Sequence, residues 1–575
     1  MKPFLTAKDL VQGSWQSFER SVCRLLVCEG FDNVRLVGGT GDKGADVLAS
    51  RFGKRFVFQI KHWNKPVGLS VIDEVLSARR FYDADIPVIV SLRGFQSPVH
   101  EKQRHLMADR ISLQLLDAND LERRAGKIPE VPPLRPARPY QEPIIDAVVR
   151  SWLENKNRGM VVMATGLGKT FTAGESIRRI NANKRVRTLV LAHTNELVYQ
   201  LEKSFWPFLK NNQSTVVWNG LESPSQESFE NSDFIFACQR TVAEHIRNGK
   251  EVADFDVVLV DECHHVGGSM YLEIIENLRA GKPGGPYLLG LTATPWRPDD
   301  IDLEDYFGAP LASLDLVKGL KMGFLSNVDY RMHTDNIDWE NLVKIQGAKF
   351  SPKYINRTLF IKEWNDAVVD ELRAVWEEIP NPRAIVFCGT IDHAIVMRDK
   401  INALGFCRAE ALYSSAPGVT KISNAERNKV MCDFQDGNIQ IVCSVDILNE
   451  GVDVPDVNLI VFQRVTHSRR IFIQQLGRGL RLSEGKEKVV VLDFVSDIRR
   501  FAAGLNLKNQ LSQTESHKPI NVRINNKVSF KRVGSEDPNT ETFLKEWLED
   551  VAAVENADED ASVLKFPPKK IEGKT

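Results

Sequence analysis

A short apolar run passes directly into a glycine-rich loop at Met160-Val-Val-Met-Ala-Thr-Gly-Leu-Gly-Lys-Thr170. A helical pattern follows, so the loop joins a strand to a helix, which is the setting that a phosphate-binding loop requires. Gly166 and Gly168 let the backbone turn tightly, and its N–H groups can then surround phosphate oxygens. Lys169 would reach the β- and γ-phosphates of ATP, and the Thr170 hydroxyl would bind Mg²⁺.

A second motif supports an ATP site. At Val257-Val-Leu-Val-Asp-Glu262, four apolar residues precede two acids, which predicts a buried strand that ends in a ligand crevice. Asp261 would hold Mg²⁺, and Glu262 would position and deprotonate the attacking water. Each motif has an alternative when taken alone. The first is a plain glycine turn, since Met163 replaces the first glycine of the strict pattern, and the second is an acidic pair on the surface.

Apolar strands alternate with helical segments on both sides of a central region, from Tyr140 to about residue 296 and from Ala384 to about residue 497. Continuous apolar runs of this kind indicate parallel sheets covered on both faces. The second stretch contains Gln474-Gln-Leu-Gly-Arg-Gly-Leu-Arg481. Arg478 and Arg481 lie three residues apart, so they can share one helix face and stabilise charge on a transferred phosphate. A solvated basic helix face is the alternative.

With these motifs in this order, the chain resembles superfamily 2 helicases of the DExH type over about residues 138–497. The resemblance implies two RecA-like domains with ATP between them, whose cleft opens and closes to step along one nucleic-acid strand. It also implies that Gln141 reads the adenine and that Gly451 and Asp453 lie at the nucleotide. Three further segments resemble the family's motifs Ia, III and IV, namely Ala192-His-Thr-Asn-Glu-Leu197, Thr292-Ala-Thr294 and Ala384-Ile-Val-Phe-Cys-Gly389.

A different constellation precedes these motifs. Gly38-Gly-Thr-Gly-Asp-Lys-Gly-Ala-Asp46 leads into one strand, and Gln59-Ile-Lys61 lies on the next. Successive side chains of a strand point to opposite faces, so Gln59 and Lys61 lie on the same face. A hairpin would bring Asp46 beside them. Asp46 would bind a divalent metal with Gln59 as a neutral oxygen ligand. Lys61 would orient or activate water, as phosphodiester hydrolysis requires, and Glu19 would add a carboxylate.

This unit resembles the Mrr-type restriction endonucleases, a branch of the PD-(D/E)xK nuclease fold, over about residues 14–122. The resemblance rests on Gly41-Asp-Lys-Gly-Ala-Asp46 and Gln59-Ile-Lys61, and it implies metal-dependent cleavage of DNA. The general nuclease pattern has an acid at the position of Gln59, a departure that is typical of the Mrr branch. One alternative is an exposed strand lysine beside a plain glycine loop. Another is a domain of this fold that binds DNA without cutting it.

The predicted fold is therefore α/β, with two RecA-like parallel-sheet domains preceded by a restriction-endonuclease-like α/β domain. Five prolines between positions 127 and 139 indicate a semi-rigid linker. The predicted boundaries are 1–125 for the nuclease-like domain, 126–139 for the linker, 140–305 for the first RecA-like domain, 306–380 for a bridging segment, 381–498 for the second RecA-like domain and 499–575 for a C-terminal tail of unread role.

Composition sets further expectations. The formal net charge is −1, so any nucleic-acid surface must be a local basic patch. The eight cysteines form no CxxC pair, which favours free thiols in a reducing compartment. No apolar run reaches the ~18 residues of a membrane span, and the N-terminus lacks the pattern of a signal peptide. We therefore expect a cytoplasmic protein.

Together these patterns predict an ATP-dependent DNA translocase or helicase coupled to a metal-dependent DNA endonuclease. It would use ATP and Mg²⁺, with Mn²⁺ as the alternative ion at the nuclease site. Double-stranded DNA is the expected partner, with tracking along one strand, and RNA stays open as a track. The domain combination suggests prokaryotic restriction or phage defence by analogy. The alternatives are a DNA-repair or RNA helicase whose N-terminal domain only binds nucleic acid, and a nucleotide-switched binding protein.

Overall fold

The computed structural model describes most of the chain between residues 3 and 533. The described residues are 3–38, 43–130, 134–182, 184–267, 269–293, 302–314, 318–319, 322–333, 362–413, 422–445, 457–463, 479, 486, 488–494, 522–524 and 528–533. In this part of the chain, no helix combines the length and the hydropathy that a membrane span requires.

The N-terminal domain contains, among the described residues, strands β1 (Asp32–Leu36), β2 (Val47–Arg51), β3 (Lys54–Lys61), β4 (Ile86–Ser91) and β5 (Gln114–Asp117) and helices α1 (Ala7–Gln12), α2 (Trp15–Cys28), α3 (Ser70–Phe81), α4 (Ser97–Ala108) and α5 (Ala118–Ala125). The strands form one sheet in chain order. The pairs β1–β2 and β2–β3 are antiparallel, whereas β3–β4 and β4–β5 are parallel.

Alternation along β3 gives this sheet two apolar faces. Phe58 packs in one core cluster with residues of α2 and α5, and its neighbour Val57 packs in another with residues of α3 and α4. Successive side chains of a strand point to opposite faces, so helices cover the sheet on both sides. Only the two ends of β3 leave this core, since Lys54 is exposed and Lys61 is partly exposed.

The first parallel-sheet domain follows. Its described strands are β6 (Arg158–Met163), β7 (Thr188–Ala192), β8 (Thr215–Trp218), β9 (Phe234–Cys238), β10 (Val257–Val260), β11 (Tyr287–Thr292) and β12 (Pro310–Leu314). Its helices are α6 (Glu142–Leu153), α7 (Lys169–Ile180), α8 (Asn195–Phe205), α9 (Gln226–Asn231), α10 (Gln239–Arg247), α11 (Ser269–Asn277) and α12 (Glu304–Phe307). The sheet is parallel in the order β12-β6-β11-β10-β7-β9-β8.

The second parallel-sheet domain comprises, where the chain is described, β13 (Asn327–His333), β14 (Ala384–Cys388), β15 (Ala409–Tyr413), β16 (Ile441–Val445), β17 (Leu459–Gln463), β18 (Lys488–Asp493), β19 (Val522–Ile524) and β20 (Val528–Val533), with α13 (Lys362–Glu378), α14 (Ile391–Leu404) and α15 (Asn424–Asp436). The strand order is β15-β16-β14-β17-β18-β13-β20-β19, and only the β19–β20 pair is antiparallel. These sheets confirm the predicted α/β class.

Two segments lie differently from the predicted division of the chain. β12 joins the first sheet beside β6 and β13 joins the second beside β18, so the predicted bridging segment 306–380 is shared between the two domains. β12 is a half-exposed edge strand, which gives no continuous apolar run in the sequence. β19 and β20 extend the second sheet, so part of the predicted tail 499–575 is structural.

The predicted linker begins against the first parallel-sheet domain. The Asn211 side-chain amide donates to the carbonyl oxygens of Ala125 at 3.2 Å and Ile128 at 3.0 Å, and its backbone N–H donates to Glu130 O at 2.8 Å. These contacts hold the start of the linker in place, so the N-terminal domain is docked and not merely tethered.

Candidate active sites

The phosphate loop lies between β6 and α7 and takes the predicted shape. Gly166 and Gly168 have φ values of +91° and +86°. Residues other than glycine rarely adopt this left-handed backbone conformation. A Cβ at Gly168 would also lie 2.6 Å from Gln141 Nε2. Lys169 and Thr170 are the first two residues of α7. The N–H groups at the N-terminus of a helix favour a bound anion.

The two predicted motifs meet beside this loop. β10 ends at Asp261 and Glu262, and Lys169 Nζ donates a hydrogen bond to Glu262 Oε1. Burial works against the charged form of Lys169, but the charges of Glu262 and Asp261 outweigh it and raise the pKa of the lysine. Burial also opposes the charge on Glu262, yet Lys169 and His264 hold the pKa of that carboxyl below its usual value.

Asp261 has the character of a cation ligand. Burial and the neighbouring Glu262 carboxylate raise its pKa, and its Oδ1 is buried without a hydrogen-bond partner. A buried charge without a partner is costly, and a divalent cation would offset that cost. The residues present therefore fit Mg²⁺. The backbone of Glu262 has a φ of +46°, a strained conformation of the kind that occurs at functional sites.

Two histidines after the acidic pair connect it to other motifs. His264 Nδ1 lies 3.0 Å from Thr292 Oγ1 at the end of β11, and the ring of His265 packs on that of His193 with centroids 4.2 Å apart. The segments resembling motifs Ia and III thus contact the two histidines that follow the acidic pair. The sequence indicated those segments but not these contacts, which join residues far apart in the chain.

Gln141 is fully buried and holds the phosphate loop. Its Nε2 donates to Leu167 O at 2.8 Å, and its Oε1 accepts from the backbone N–H of Arg138 at 3.0 Å. The Tyr140 hydroxyl donates to the same Leu167 carbonyl at 3.1 Å. Recognition of adenine by Gln141 stays a prediction.

Four residues assigned to the second half of the site lie outside the described residues. They are Arg478, Arg481, Gly451 and Asp453. Between the two arginines, Gly479 is described, and a Cβ there would lie 2.7 Å from Ile460 Cδ1 of β17. The backbone at Gly479 therefore packs closely on the second sheet. The roles of the four residues stay predictions.

Replacement of Glu262 by glutamine tests the assigned base. We expect Glu262→Gln to bind ATP but not turn it over, because an amide cannot accept the proton of the attacking water. Binding of a fluorescent ATP analogue and release of phosphate are measured on the same sample. Glu276→Gln, an exposed position on α11, should behave as wild type. Near-normal turnover by Glu262→Gln would remove this residue from the role of base.

In the N-terminal domain, the structure brings Asp46 and Gln59 together. Asp46 immediately precedes β2, and its Oδ2 accepts hydrogen bonds from Gln59 Nε2 at 2.6 Å and from the backbone N–H of Ile60 at 2.5 Å. Both side chains are buried. The hairpin of β2 and β3 therefore gives the predicted juxtaposition.

Glu19 on α2 reaches the same place. A Cβ built on Gly38 would lie 3.4 Å from Asp46 Oδ1 and 3.6 Å from Glu19 Oε2, so both carboxylates approach one glycine. Gln59 Oε1 is buried without a hydrogen-bond partner. Within the described residues no cluster of three or more His, Cys, Asp or Glu side chains could hold a metal. The fit to a divalent cation thus rests on two carboxylates and one amide oxygen, which are donors that Mg²⁺ accepts.

Lys61 stands at the end of β3 with an unpredicted partner. Its Nζ lies 2.8 Å from Glu74 Oε2 on α3 and 5.3 Å from the centre of the Trp63 ring. Glu74 lies thirteen residues further along the chain, and no motif in the sequence marked it.

Three family models match the chain. Residues 10–125 match a model described as "Restriction endonuclease", residues 135–297 one described as "Type III restriction enzyme, res subunit", and residues 365–483 one described as "Helicase conserved C-terminal domain". These matches confirm both resemblances that the motifs indicated.

Relatives and a solved structure agree with these models. The chain is 27% identical to the type I restriction enzyme EcoAI endonuclease subunit of Escherichia coli, over 72% of this chain and 52% of that protein. It is 27% identical to the DNA 3'-5' translocase XPB2 of Sulfurisphaera tokodaii, over 60% of this chain and 79% of that protein. It spans about half the length of several such relatives.

The solved structure is that of the ATP-dependent type ISP restriction-modification enzyme LlaBIII bound to DNA. It superimposes with a TM-score of 0.52 and 17% identity over 96% of this chain and 42% of the other. At that identity the likeness concerns the fold alone.

Proposed function

We propose that this chain, which joins an Mrr-type restriction endonuclease domain to the two domains of a superfamily 2 helicase, is an ATP-dependent DNA translocase or helicase that also cleaves DNA. One observation carries the motor assignment: Lys169, Asp261 and Glu262 lie together, largely shielded from solvent, beside a phosphate loop of the required shape. A relative named as a restriction endonuclease subunit and another named as a DNA translocase support DNA as the track.

ATP hydrolysis follows from the contacts of Lys169. In the structure this lysine pairs with Glu262. When ATP binds, Lys169 would turn to the β- and γ-phosphates, and Glu262 would become free to orient and deprotonate the attacking water. Thr170 and Asp261 would hold Mg²⁺, which would supply charge neutralisation at the phosphates. Arg478 and Arg481 of the second parallel-sheet domain would stabilise the transferred phosphate and so couple hydrolysis to closure of the cleft.

DNA cleavage is assigned to the N-terminal domain. Asp46, Gln59 and Glu19 would hold the divalent ion, which supplies Lewis-acid activation of a phosphodiester and of water. Lys61 would contact the scissile phosphate and orient the water. Mg²⁺ is the proposed ion, and Mn²⁺ is the alternative at this site.

Two assays on the purified chain separate this proposal from its alternatives. Phosphate release is measured with double-stranded DNA, single-stranded DNA and RNA, and plasmid cleavage is measured with Mg²⁺ and Mn²⁺. DNA-stimulated ATP hydrolysis together with cleavage supports the proposal. Stimulation without cleavage under either ion favours a helicase whose N-terminal domain only binds nucleic acid. No stimulation by any nucleic acid favours a nucleotide-switched binding protein.

A restriction or phage-defence role is the proposed biological context, on the analogy of the restriction-enzyme relatives. Cells that express the chain should then plate phage less efficiently than cells that express the Asp46→Ala variant. Equal plating across a panel of phages would argue for a repair function instead.

The coupling arginine is tested in the same ATPase assay. We expect Arg478→Ala to leave nucleotide affinity largely intact and to slow hydrolysis by roughly 10³-fold or more, the scale known for arginine fingers. Arg408→Ala, at an exposed position of the same domain, is the control and should remain active. A loss of about tenfold or less would place Arg478 outside the transition state and would make Arg481 the better candidate.

A further inference from the structure

α3 brings a carboxylate to the nuclease site that the proposed reaction does not yet use. Glu74 Oε2 lies 2.8 Å from Lys61 Nζ. The backbone of Glu74 also touches the loop that leads to Asp46, since a Cβ on Gly44 would lie 2.8 Å from Glu74 O and 3.3 Å from Gln59 Oε1. α3 is thus in direct contact with both parts of the site.

The ion pair between Lys61 and Glu74 is better suited to fixing the position of the lysine ammonium than to stabilising the fold. The Lys61 side chain is 16% exposed and the Glu74 side chain 42% exposed, and ion pairs at such exposure contribute little free energy. Lysine has a flexible four-carbon stem with three donors on its ammonium. One donor held by Glu74 restricts the stem and leaves the other two for a phosphate and a water.

We propose that Glu74 is a positioning residue, which holds the Lys61 ammonium where the scissile phosphate of DNA will lie. The inference rests on the proposed nuclease function. Glu74 acts through Lys61 and touches neither the metal nor the substrate. Its loss should therefore slow the cleavage step without weakening the binding of DNA.

The test compares Glu74→Gln and Glu74→Asp with Asp73→Asn, a neighbouring exposed acid on the same helix. Glu74→Gln should lower kcat for plasmid cleavage by about 10- to 100-fold, the range known for residues that support a catalytic group, with KM unchanged or lower because a negative charge near DNA is lost. Glu74→Asp should recover part of the loss, and Asp73→Asn should cut as wild type. Full activity of Glu74→Gln, or a loss confined to KM, overturns the inference.

A second readout does not depend on cleavage. Acylation of Lys61 by an amine-reactive reagent is followed by mass spectrometry in the full chain. Glu74→Gln should change the rate at Lys61 and leave the rate at Lys65 unaltered, whereas an unchanged Lys61 rate overturns the pairing. A wild type that cuts no DNA overturns the nuclease function and this role with it. An active wild type with an equally active Glu74→Gln overturns only this role.

A separate set of contacts shows that the N-terminal domain touches both parallel-sheet domains. On the first, Arg20 Nε lies 2.8 Å from Glu202 Oε2 and Arg20 also pairs with Glu222, while Arg24 donates to Gln213 O at 2.7 Å. All these groups are buried. Removing a partner from a buried ion pair costs about 3–5 kcal/mol, so this interface is firm.

The contact with the second parallel-sheet domain combines one buried ion pair with more exposed ones, since Arg55 and Asp433 are buried whereas the Asp436 side chain is 31% exposed. Arg55 Nη2 lies 3.1 Å from Asp433 Oδ1 on α15 and also pairs with Asp436. Beside it, Lys429 Nζ lies 2.6 Å from Asp83 Oδ2, and the Asp83 side chain is 72% exposed. Water can replace Asp436 and the Asp83–Lys429 pair more easily than the fully buried partners of Arg20.

The geometry points to a releasable contact between the N-terminal domain and α15, formed by Arg55 and Asp83 and here called the latch. The N-terminal domain is held by both parallel-sheet domains. Rotation of one parallel-sheet domain against the other must therefore break one of these two interfaces. The interface of Arg55 and Asp83 with α15 is the weaker of the two. ATP-driven closure of the cleft would therefore release the nuclease domain from α15 while Arg20 keeps it on the first domain. Release would link access to the nuclease site to the motor cycle.

Zero-length carbodiimide crosslinking of the full chain tests the latch. The Asp83–Lys429 crosslink should form without nucleotide and lose most of its yield with DNA and a non-hydrolysable ATP analogue. The Lys184–Asp256 pair, 3.3 Å apart within the first parallel-sheet domain, is the control and should crosslink equally in both states. Arg55→Ala should lower the Asp83–Lys429 yield without nucleotide. An Asp83–Lys429 yield that is the same in both states overturns the latch.

Discussion

Lys169→Ala is expected to abolish ATP hydrolysis. Lys169 is the lysine of the phosphate loop, and its side chain is only 11% exposed where it meets Glu262, so its loss removes the positive charge assigned to the β- and γ-phosphates. Phosphate release is measured with and without DNA. Lys184→Ala, an exposed lysine of the same domain, should hydrolyse ATP at the wild-type rate. DNA-stimulated hydrolysis by Lys169→Ala would remove the motor assignment.

The same substitution should also weaken the fold. Without the lysine, the adjacent carboxylates of Glu262 and Asp261 stay largely shielded from solvent with only the His264 ring beside Glu262, which costs up to about 3–5 kcal/mol. Thermal unfolding should therefore accompany the assay. Lys169→Arg separates the two effects, because it keeps a positive charge beside the acids while its planar guanidinium does not match the ammonium in the phosphate loop. We expect a near-native melting temperature and strongly reduced hydrolysis from this variant.

Asp46→Ala is expected to abolish DNA cleavage while DNA-stimulated ATP hydrolysis survives. Asp46 accepts two hydrogen bonds from β3 and approaches Glu19, so its loss removes a metal ligand and the group that orients Gln59. Asp46→Asn keeps the shape of the side chain and should be equally inactive if charge is what the site needs. DNA affinity should hold or tighten, because a negative group next to phosphate is lost.

The control for this prediction must use the same buffer. Removing divalent metal cannot isolate the nuclease, since ATP hydrolysis also requires Mg²⁺. Gel cleavage and phosphate release are therefore compared side by side for wild type and both Asp46 variants. Cleavage by Asp46→Ala at the wild-type rate would mean that the metal site lies elsewhere.

Local sequence signals predicted the placement of residues within each site well because each motif lies on one strand or loop. The phosphate loop needs glycines at two positions and a lysine next to them, and Gly166, Gly168 and Lys169 meet that need within four residues. The β2–β3 hairpin likewise follows from its short turn, which brings Asp46 to Gln59.

Contacts between distant segments could not be predicted in the same way. Glu74 meets Lys61 only because α3 packs across β3, and His264 meets Thr292 only because β10 and β11 are neighbours in the sheet. β12 was missed for another reason. It is a half-exposed edge strand, and such strands lack the continuous apolar pattern that marks a buried parallel strand.

The docking of the N-terminal domain is also a long-range feature. Neither Arg20 nor Arg55 belongs to a motif, yet their partners are Glu202 and Asp433 in different domains. The proline-rich linker suggested independent units, whereas the structure holds the nuclease domain on both parallel-sheet domains. Independence of the two activities is therefore a matter for experiment.

Cleavage of plasmid DNA by Lys61→Ala, with phosphate release recorded in the same reaction, tests most directly whether one chain carries two separate active sites. We predict that wild type cuts the plasmid, that Lys61→Ala does not, and that both release phosphate at the same DNA-stimulated rate. Lys65→Ala, an exposed lysine nearby, should cut as wild type. Lys61→Ala should also bind DNA slightly more weakly and with less dependence on salt. A wild type that cuts no DNA with Mg²⁺ or Mn²⁺, or a Lys61→Ala variant that cuts as well as wild type, would contradict the nuclease assignment and leave the N-terminal domain as a DNA-holding module on a helicase.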